Sequence, residues 1–247
     1  MQSGEANGGV SIPRLSESER AALTGYAARA AWPSGFLIYE RGTSADGVFV
    51  VVRGRVVLRS RVRAGRGFVP WVATPGETFG AEGLSCNGSY ATDARADEET
   101  ETLYLSSAKL RAFIREQPSH ALALIGQVMT ERTALLEKLR ELTTLSVEQR
   151  LVSALRRMTA DESFLRPDGR IELGGARYRL LCELVGATRE SVSLVLARLT
   201  GEGLIERVGS TLYVTPSARL FERLDDALGD GALLVGGLAE VGESALQ

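Results

Sequence analysis

The period of the hydrophobic residues changes abruptly along this chain, and that change constrains the fold more than any other feature. From Pro33 to Leu105 short β-branched runs alternate with single glycines, at Gly35, Gly42, Gly47, Gly54, Gly67, Gly76, Gly80, Gly83 and Gly88. Many short strands bounded by turn residues predict a small barrel or roll. The clearest hairpin is expected at Val48–Val52, Arg53-Gly54 and Arg55–Leu58. Helical spacing holds on either side. Residues 15–32 are expected to be a helix, with Ser16 and Ser18 as capping candidates. Helical spacing returns at Ser106, runs to about Arg115, breaks at Pro118 and resumes as a long helix over residues 119–143. On that helix Leu122, Ile125, Met129, Leu136 and Leu139 form a 3-4 seam, broken by Arg132. Such a seam packs lengthwise on a partner, within the domain or, as the length of the helix favours, on a second copy of the chain.

A further helix is expected over residues 146–163, followed by a turn at Pro167-Asp168-Gly169. Residues 177–215 then carry the strongest functional signal. A first helix buries Leu180, Leu181, Leu184 and Val185, and Gly186 permits a tight turn. Thr188 is a good N-cap for a second helix, with Ser191 at the capping-box position. That helix buries Val192, Val195, Leu196 and Leu199 and leaves Arg189, Glu190 and Ser193 outside in its first turns. A recognition helix reads bases with that part of its surface. Arginine chelates the two acceptors of guanine, and glutamate accepts from the cytosine amino group. Gly203 ends the helix, and Ile205–Arg207 with Leu212–Val214 make a small hairpin, or wing. Arg177, Arg179 and Arg198 flank the two helices and suit a phosphate backbone. Double-stranded DNA is therefore the expected partner.

Composition closes off other classes. A net charge of −2 gives no nucleic-acid signal by itself, but the charge is unevenly spread. Residues 146–219 hold 11 basic and 9 acidic residues, whereas residues 220–247 hold 1 and 6. The body is thus mildly basic and the tail acidic, which permits phosphate binding without demanding it. Cys86 and Cys182 are too few and too far apart for a disulfide framework, a cysteine zinc site or a four-cysteine cluster. His120, the single histidine, is expected to be a solvated residue in the first turn after Pro118. No phosphate loop, metal cluster or activated nucleophile is seen, so neither an enzyme nor a resident cofactor is expected. No apolar run approaches the roughly 20 residues that span a bilayer. The start of the chain, Met1 to Ile12, lacks the pattern of a signal peptide, and a cytoplasmic protein is expected.

The motif Gly186-Ala187-Thr188-Arg189-Glu190-Ser191-Val192 resembles that of the CRP/FNR family of bacterial transcription regulators. Gly54 and the run Pro75-Gly76-Glu77-Thr78-Phe79-Gly80 agree with it, as does the order of parts. The resemblance implies an α+β chain. It would have a cyclic-nucleotide-binding-like β-roll over residues 15–118, a long dimerisation helix over 119–143, a winged helix-turn-helix over 146–219 and an acidic tail over 220–247. It also implies a homodimer that binds a near-palindromic site and alters recruitment of RNA polymerase. By position, Arg189 and Glu190 touch bases, and Ser193 is a further candidate. Many members have an arginine five positions after the motif arginine. Here that position is Leu194, which donates no hydrogen bond but can pack on a thymine methyl.

In the cyclic-AMP-binding members a glutamate after Phe-Gly holds the ribose. Here Ala81 follows Gly80, and Glu82 is one residue late. The Arg-Ser pair that binds the cyclic phosphate aligns with Tyr90 and Ala91, and the Thr-Ser pair that contacts adenine aligns with Leu135 and Leu136. Each missing contact costs about 1–3 kcal/mol, so micromolar affinity for cyclic AMP should be lost. The effector is therefore unknown. Three readings stay open: a less polar molecule lined by Tyr90, Leu135 and Leu136, an empty roll, or redox control through Cys86. Arg53, Arg55, Arg59, Arg61 and Arg63 would share one face of a continuous strand, either solvated or docking a polyanion, with Asp97, Glu98, Glu99 and Glu101 available to pair. A different class of function also stays open, a ligand-binding signalling module whose winged domain contacts protein.

Overall fold

The computed structural model describes residues 14–61, 67–84, 88–159 and 164–228. The chain divides into two compact units, residues 1–140 and 141–247. The first opens with α1 (Glu17–Thr24), held by a capping box in which the Ser16 hydroxyl accepts the Glu19 N–H and the Glu19 carboxylate accepts the Ser16 N–H. Eight strands follow: β1 (Ala28–Trp32), β2 (Leu37–Tyr39), β3 (Gly47–Arg53), β4 (Val56–Arg61), β5 (Gly67–Ala73), β6 (Thr78–Phe79), β7 (Asp93–Ala96) and β8 (Thr100–Ser106), with a short 3-10 helix at Ala81–Leu84. They form two four-stranded sheets, in the orders β1-β8-β3-β6 and β2-β7-β4-β5.

Two elements differ from what the sequence leads one to expect. The helix expected over residues 15–32 stops at Thr24, and Ala28–Trp32 is a strand. Its alanines have helix propensity, but β1 pairs along its whole length with β8, Trp32 Nε1 donates to Thr102 Oγ1 at 2.9 Å and Arg29 pairs with Glu101. Tertiary pairing overrides propensity. The expected hairpin is also absent, because β3 and β4 lie in different sheets. At the link, Gly54 takes a φ of 80°, and a Cβ there would lie 2.5 Å from the Glu99 carbonyl oxygen. Arg55 is buried, its N–H bound to Thr100 Oγ1 and its guanidinium to Asp97 at 3.1 Å. These contacts carry the chain out of one sheet into the other. β3 is covered on both faces, with Val48 and Val50 in the core under the helices and Phe49 and Val51 in the roll interior. A strand buried on both sides reads as an unbroken apolar run, which gives no sign of its partner.

After β8 come α2 (Ser107–Glu116) and α3 (Pro118–Thr144), which matches the long helix expected over residues 119–143. α3 buries Ala121 and Leu124 in a core with Leu23, Val48, Leu110 and Phe113. The seam residues Leu122, Ile125, Met129, Leu136 and Leu139 are instead 48–69 % exposed. They are not the intradomain core of this chain.

The second unit holds α4 (Val147–Thr159), β9 (Ile171–Leu173), α5 (Gly175–Val185), α6 (Arg189–Gly201), β10 (Ile205–Val208), β11 (Thr211–Val214) and α7 (Ala218–Leu228). Residues 160–163, the end of the helix expected from 146, lie outside the described residues. The turn at Pro167-Asp168-Gly169 is present, with the Gly169 N–H donating to the Arg166 carbonyl at 2.9 Å. The wing gains an unexpected third strand, giving the order β10-β11-β9. Leu151, Leu155, Leu181, Val185, Val192, Leu196 and Leu199 are buried, and so are Leu220 and Leu224 of α7. Regular structure therefore continues past residue 219, where the tail was expected to begin. The tail's apolar group at Leu233, Leu234, Val235 and Leu238 lies outside the described residues.

Candidate nucleic-acid interface

The exposed start of α6 is built by two local devices. Gly186 ends α5 in the left-handed region at a φ of 63°, donating its N–H to the Cys182 carbonyl, a conformation that costs a residue with a Cβ. Thr188 then caps α6, its hydroxyl accepting the Ser191 N–H at 3.3 Å and lying 3.0 Å from the Ser191 hydroxyl. This fixes the direction of the first turn. Arg189, Glu190 and Ser193 are exposed, and Leu194 is 74 % exposed. The Glu190 carboxyl is held below the usual carboxylate range, first by its own backbone N–H, then by the Thr188 hydroxyl and the nearby Arg189 charge. A carboxylate in the first turn also suits the positive end of the helix dipole. α6 thus presents a cation and an anion side by side, the two groups that discriminate guanine and cytosine in the major groove.

The flanking arginines differ from one another. Arg179 is exposed on α5, whereas Arg177 donates to the Phe164 carbonyl at 3.0 Å and ties α5 to the preceding segment. Arg198 is paired with Glu148 of α4, which also binds Arg223 at 2.7 Å, and Arg223 reaches Glu202. As a phosphate ligand Arg198 would have to share or leave Glu148. Sequence reasoning missed a residue that touches the site: the guanidinium of Arg189 lies over the Tyr178 ring, 5.4 Å from its centre. The only signal in the chain was an aromatic between two flanking arginines, Arg177 and Arg179. On the wing, Arg166 and Arg170 sit over the Tyr213 ring at 5.7 and 4.8 Å and are neutralised by Asp168, Glu172 and Glu206. Cys182 is buried, and burial pushes its thiol up.

In the roll, four of the six candidate effector-pocket residues come together. Glu82 accepts the Ala91 N–H at 3.0 Å, which spends one carboxylate oxygen on the loop itself. Tyr90 stacks on Tyr39 with ring centres 3.6 Å apart. Gly80 has a φ of 73°, and a Cβ there would meet Tyr90 at 3.1 Å and Phe49 at 3.3 Å. Tyr39, Phe49, Phe79 and Tyr90 thereby pack the interior with aromatic rings. Leu135 and Leu136 are 38 % and 58 % exposed, so neither is enclosed by its own roll. The α3 side chain that senses Glu82 is Glu131, whose carboxyl is pushed up to about 7 by burial and then by Glu82 and Glu77. The arginine stripe is not one strand face. Arg53 lies on β3 and pairs with Glu99 at 3.6 Å, while Arg55 is buried with Asp97 and Glu98. Arg59, on β4, stands in register with Asp93. Arg63 and Cys86 lie outside the described residues.

Comparison with known proteins agrees with this fold. A cyclic nucleotide-binding domain is matched by residues 30–117, and a Crp-like helix-turn-helix domain by residues 149–222. The cyclic AMP receptor protein of Thermus thermophilus is 31% identical over 200 residues, covering 80% of this chain and 88% of that one. The CRP-like cAMP-activated global transcriptional regulator of Mycobacterium tuberculosis is 23% identical over 204 residues, covering 82% and 91%. Among solved structures, the c-di-GMP responsive global regulator CLP of Xanthomonas campestris superposes with a TM-score of 0.71 at 20% identity, covering 82% of this chain and 100% of that one. FixK2 from Bradyrhizobium japonicum gives 0.65 at 22% identity, covering 81% and 96%. Both structures share the fold. No helix among the described residues is long and apolar enough to cross a membrane.

Proposed function

The chain belongs to the CRP/FNR family of DNA-binding transcription regulators, and from that premise we propose that it acts as a homodimer on a near-palindromic site without control by cyclic AMP. The capped, exposed first turn of α6, with Arg189 and Glu190 side by side, carries the reading. The exposed apolar seam of α3 supports the dimer, because five large side chains at helical spacing match a second copy of the same helix. Two equal halves then fit two half-sites about one helical turn apart. Contact with RNA polymerase is part of the same proposal and rests on the family.

Relatives that share the roll are named for cyclic AMP. This chain departs from them inside it. Tyr90 stands where the resemblance puts the phosphate-binding arginine and is stacked on Tyr39, and one carboxylate oxygen of Glu82 accepts the Ala91 N–H. A cyclic phosphate and ribose call for an arginine and a carboxylate; the aligned positions hold Tyr90 and Ala81 instead, and one oxygen of the neighbouring Glu82 is engaged by the loop. Fluorescence anisotropy on a labelled random-sequence duplex across a salt series tests the DNA half of the reading. We expect log affinity to fall linearly with log salt, and adding cyclic AMP to leave the line unmoved. No binding at low salt would reject DNA as the partner. A tenfold gain in affinity with micromolar cyclic AMP would reject independence from it.

A further inference from the structure

Arg189 is held before any DNA arrives. Its guanidinium lies over the ring of Tyr178, a half-buried residue of α5, 5.4 Å from the ring centre. The Arg189 charge also acts on the Cys182 thiol, one turn further along α5, partly opposing the upward push of burial there. Among the described residues no carboxylate forms an ion pair with Arg189, in contrast to Arg198, which Glu148 claims. The difference matters chemically. A carboxylate occupies the N–H donors of a guanidinium, whereas an aromatic ring attracts the cation without supplying a lone pair. An arginine restrained by a ring keeps its donors for the two acceptors of guanine and loses less side-chain freedom when it binds them.

We propose that Tyr178 is the positioning residue for base recognition by Arg189, holding the guanidinium at the mouth of the groove with its donors unclaimed. The proposal rests on the reading of α6 as the base-reading helix. It assigns the role to the ring rather than to the phenol hydroxyl, and it predicts an effect confined to one base pair of each half-site.

The test uses the full-length protein and duplexes enriched from a random pool by the wild type. The enriched duplex is varied one base pair at a time and affinities are measured for wild type, Tyr178→Phe and Tyr178→Leu. Arg189→Ala identifies the pair that Arg189 reads. We expect Tyr178→Phe to keep the wild-type preference there and Tyr178→Leu to flatten it by about two- to fivefold. Preferences at the other pairs, and affinity for random duplex, should stay as in the wild type. Full retention of the preference in Tyr178→Leu overturns the proposal. So does an equal loss at every pair and on random duplex, which is the mark of a merely structural residue. If Tyr178→Leu does not fold, the Arg189 Nε–H resonance of the free wild type decides, assigned by its absence in Arg189→Lys. An upfield ring-current shift supports the contact, and an ordinary arginine position overturns it. A pool from which nothing enriches removes the reading of α6 and this role together, while the resonance still judges the contact alone.

Discussion

Leu194 stands out from α6 with 74 % of its surface exposed, on a helix whose buried face is already complete with Val192, Leu196 and Leu199. A large apolar side chain there contributes little to folding, and on the proposed base-reading helix it would pack on a thymine methyl. Leu194→Ala should leave thermal stability within about 0.5 kcal/mol of the wild type. It should weaken the preference for thymine at one position of each half-site, read by affinity for single-substituted duplexes. Glu131 behaves differently, because its environment acts on the charge. Its carboxyl titrates at about 7 against an ordinary 4.5, so the folded state holds the proton more tightly than the unfolded chain. Stability linked to it is complete below pH 4.5 and is lost as the pH rises through 7. Glu131→Gln keeps the neutral form at every pH. Denaturant unfolding should find it about 1–3 kcal/mol more stable than the wild type at pH 8 and indistinguishable from it near pH 4. An equal difference at both pH values would refute the assignment. Single residues were only partly legible in sequence. Arg189 and Glu190 stood out through their spacing from a cap and a glycine turn, which are local signals. Tyr178 and Glu131 owe their roles to partners on other elements, and no periodicity announces those.

At the scale of elements, α6 depends on its cap. The Thr188 hydroxyl satisfies the Ser191 N–H, and Thr188→Ala should cost about 0.5–2 kcal/mol by thermal unfolding. It should also weaken specific binding more than random-duplex binding, since it loosens the turn that aims Arg189. The exposed seam of α3 makes a second prediction. Ile125→Glu combined with Leu136→Glu places four charges in a paired interface and none in the core of one chain. Sedimentation equilibrium should show a folded monomer for the double variant and a dimer for the wild type. A dimer that survives both substitutions would move the interface elsewhere. Elements with their own periodicity were readable in advance: α3, the two helices around Gly186, and the β10–β11 wing. Those defined by pairing were not. Ala28–Trp32 has the composition of a helix and becomes a strand because β8 offers it an edge. β3 and β4 are consecutive, yet Gly54 and the buried Arg55 send them into separate sheets. β9 has only three residues, too few to show an alternation.

For the whole molecule, a roll whose interior is filled by stacked aromatic rings is joined in one chain to a winged helix-turn-helix, with an exposed apolar helix face between them in sequence. That order of parts fits a dimer in which two copies of α6 read one stretch of duplex. The most direct test is selection of bound sequences from a random duplex pool, run in parallel with wild type and Arg189→Ala. We predict a two-fold symmetric consensus for the wild type, with a guanine in each half-site whose enrichment disappears in the variant, at a cost of about 1–3 kcal/mol on the wild-type site. A folded wild-type protein that enriches no sequence, or a variant that enriches the same guanine, would contradict it.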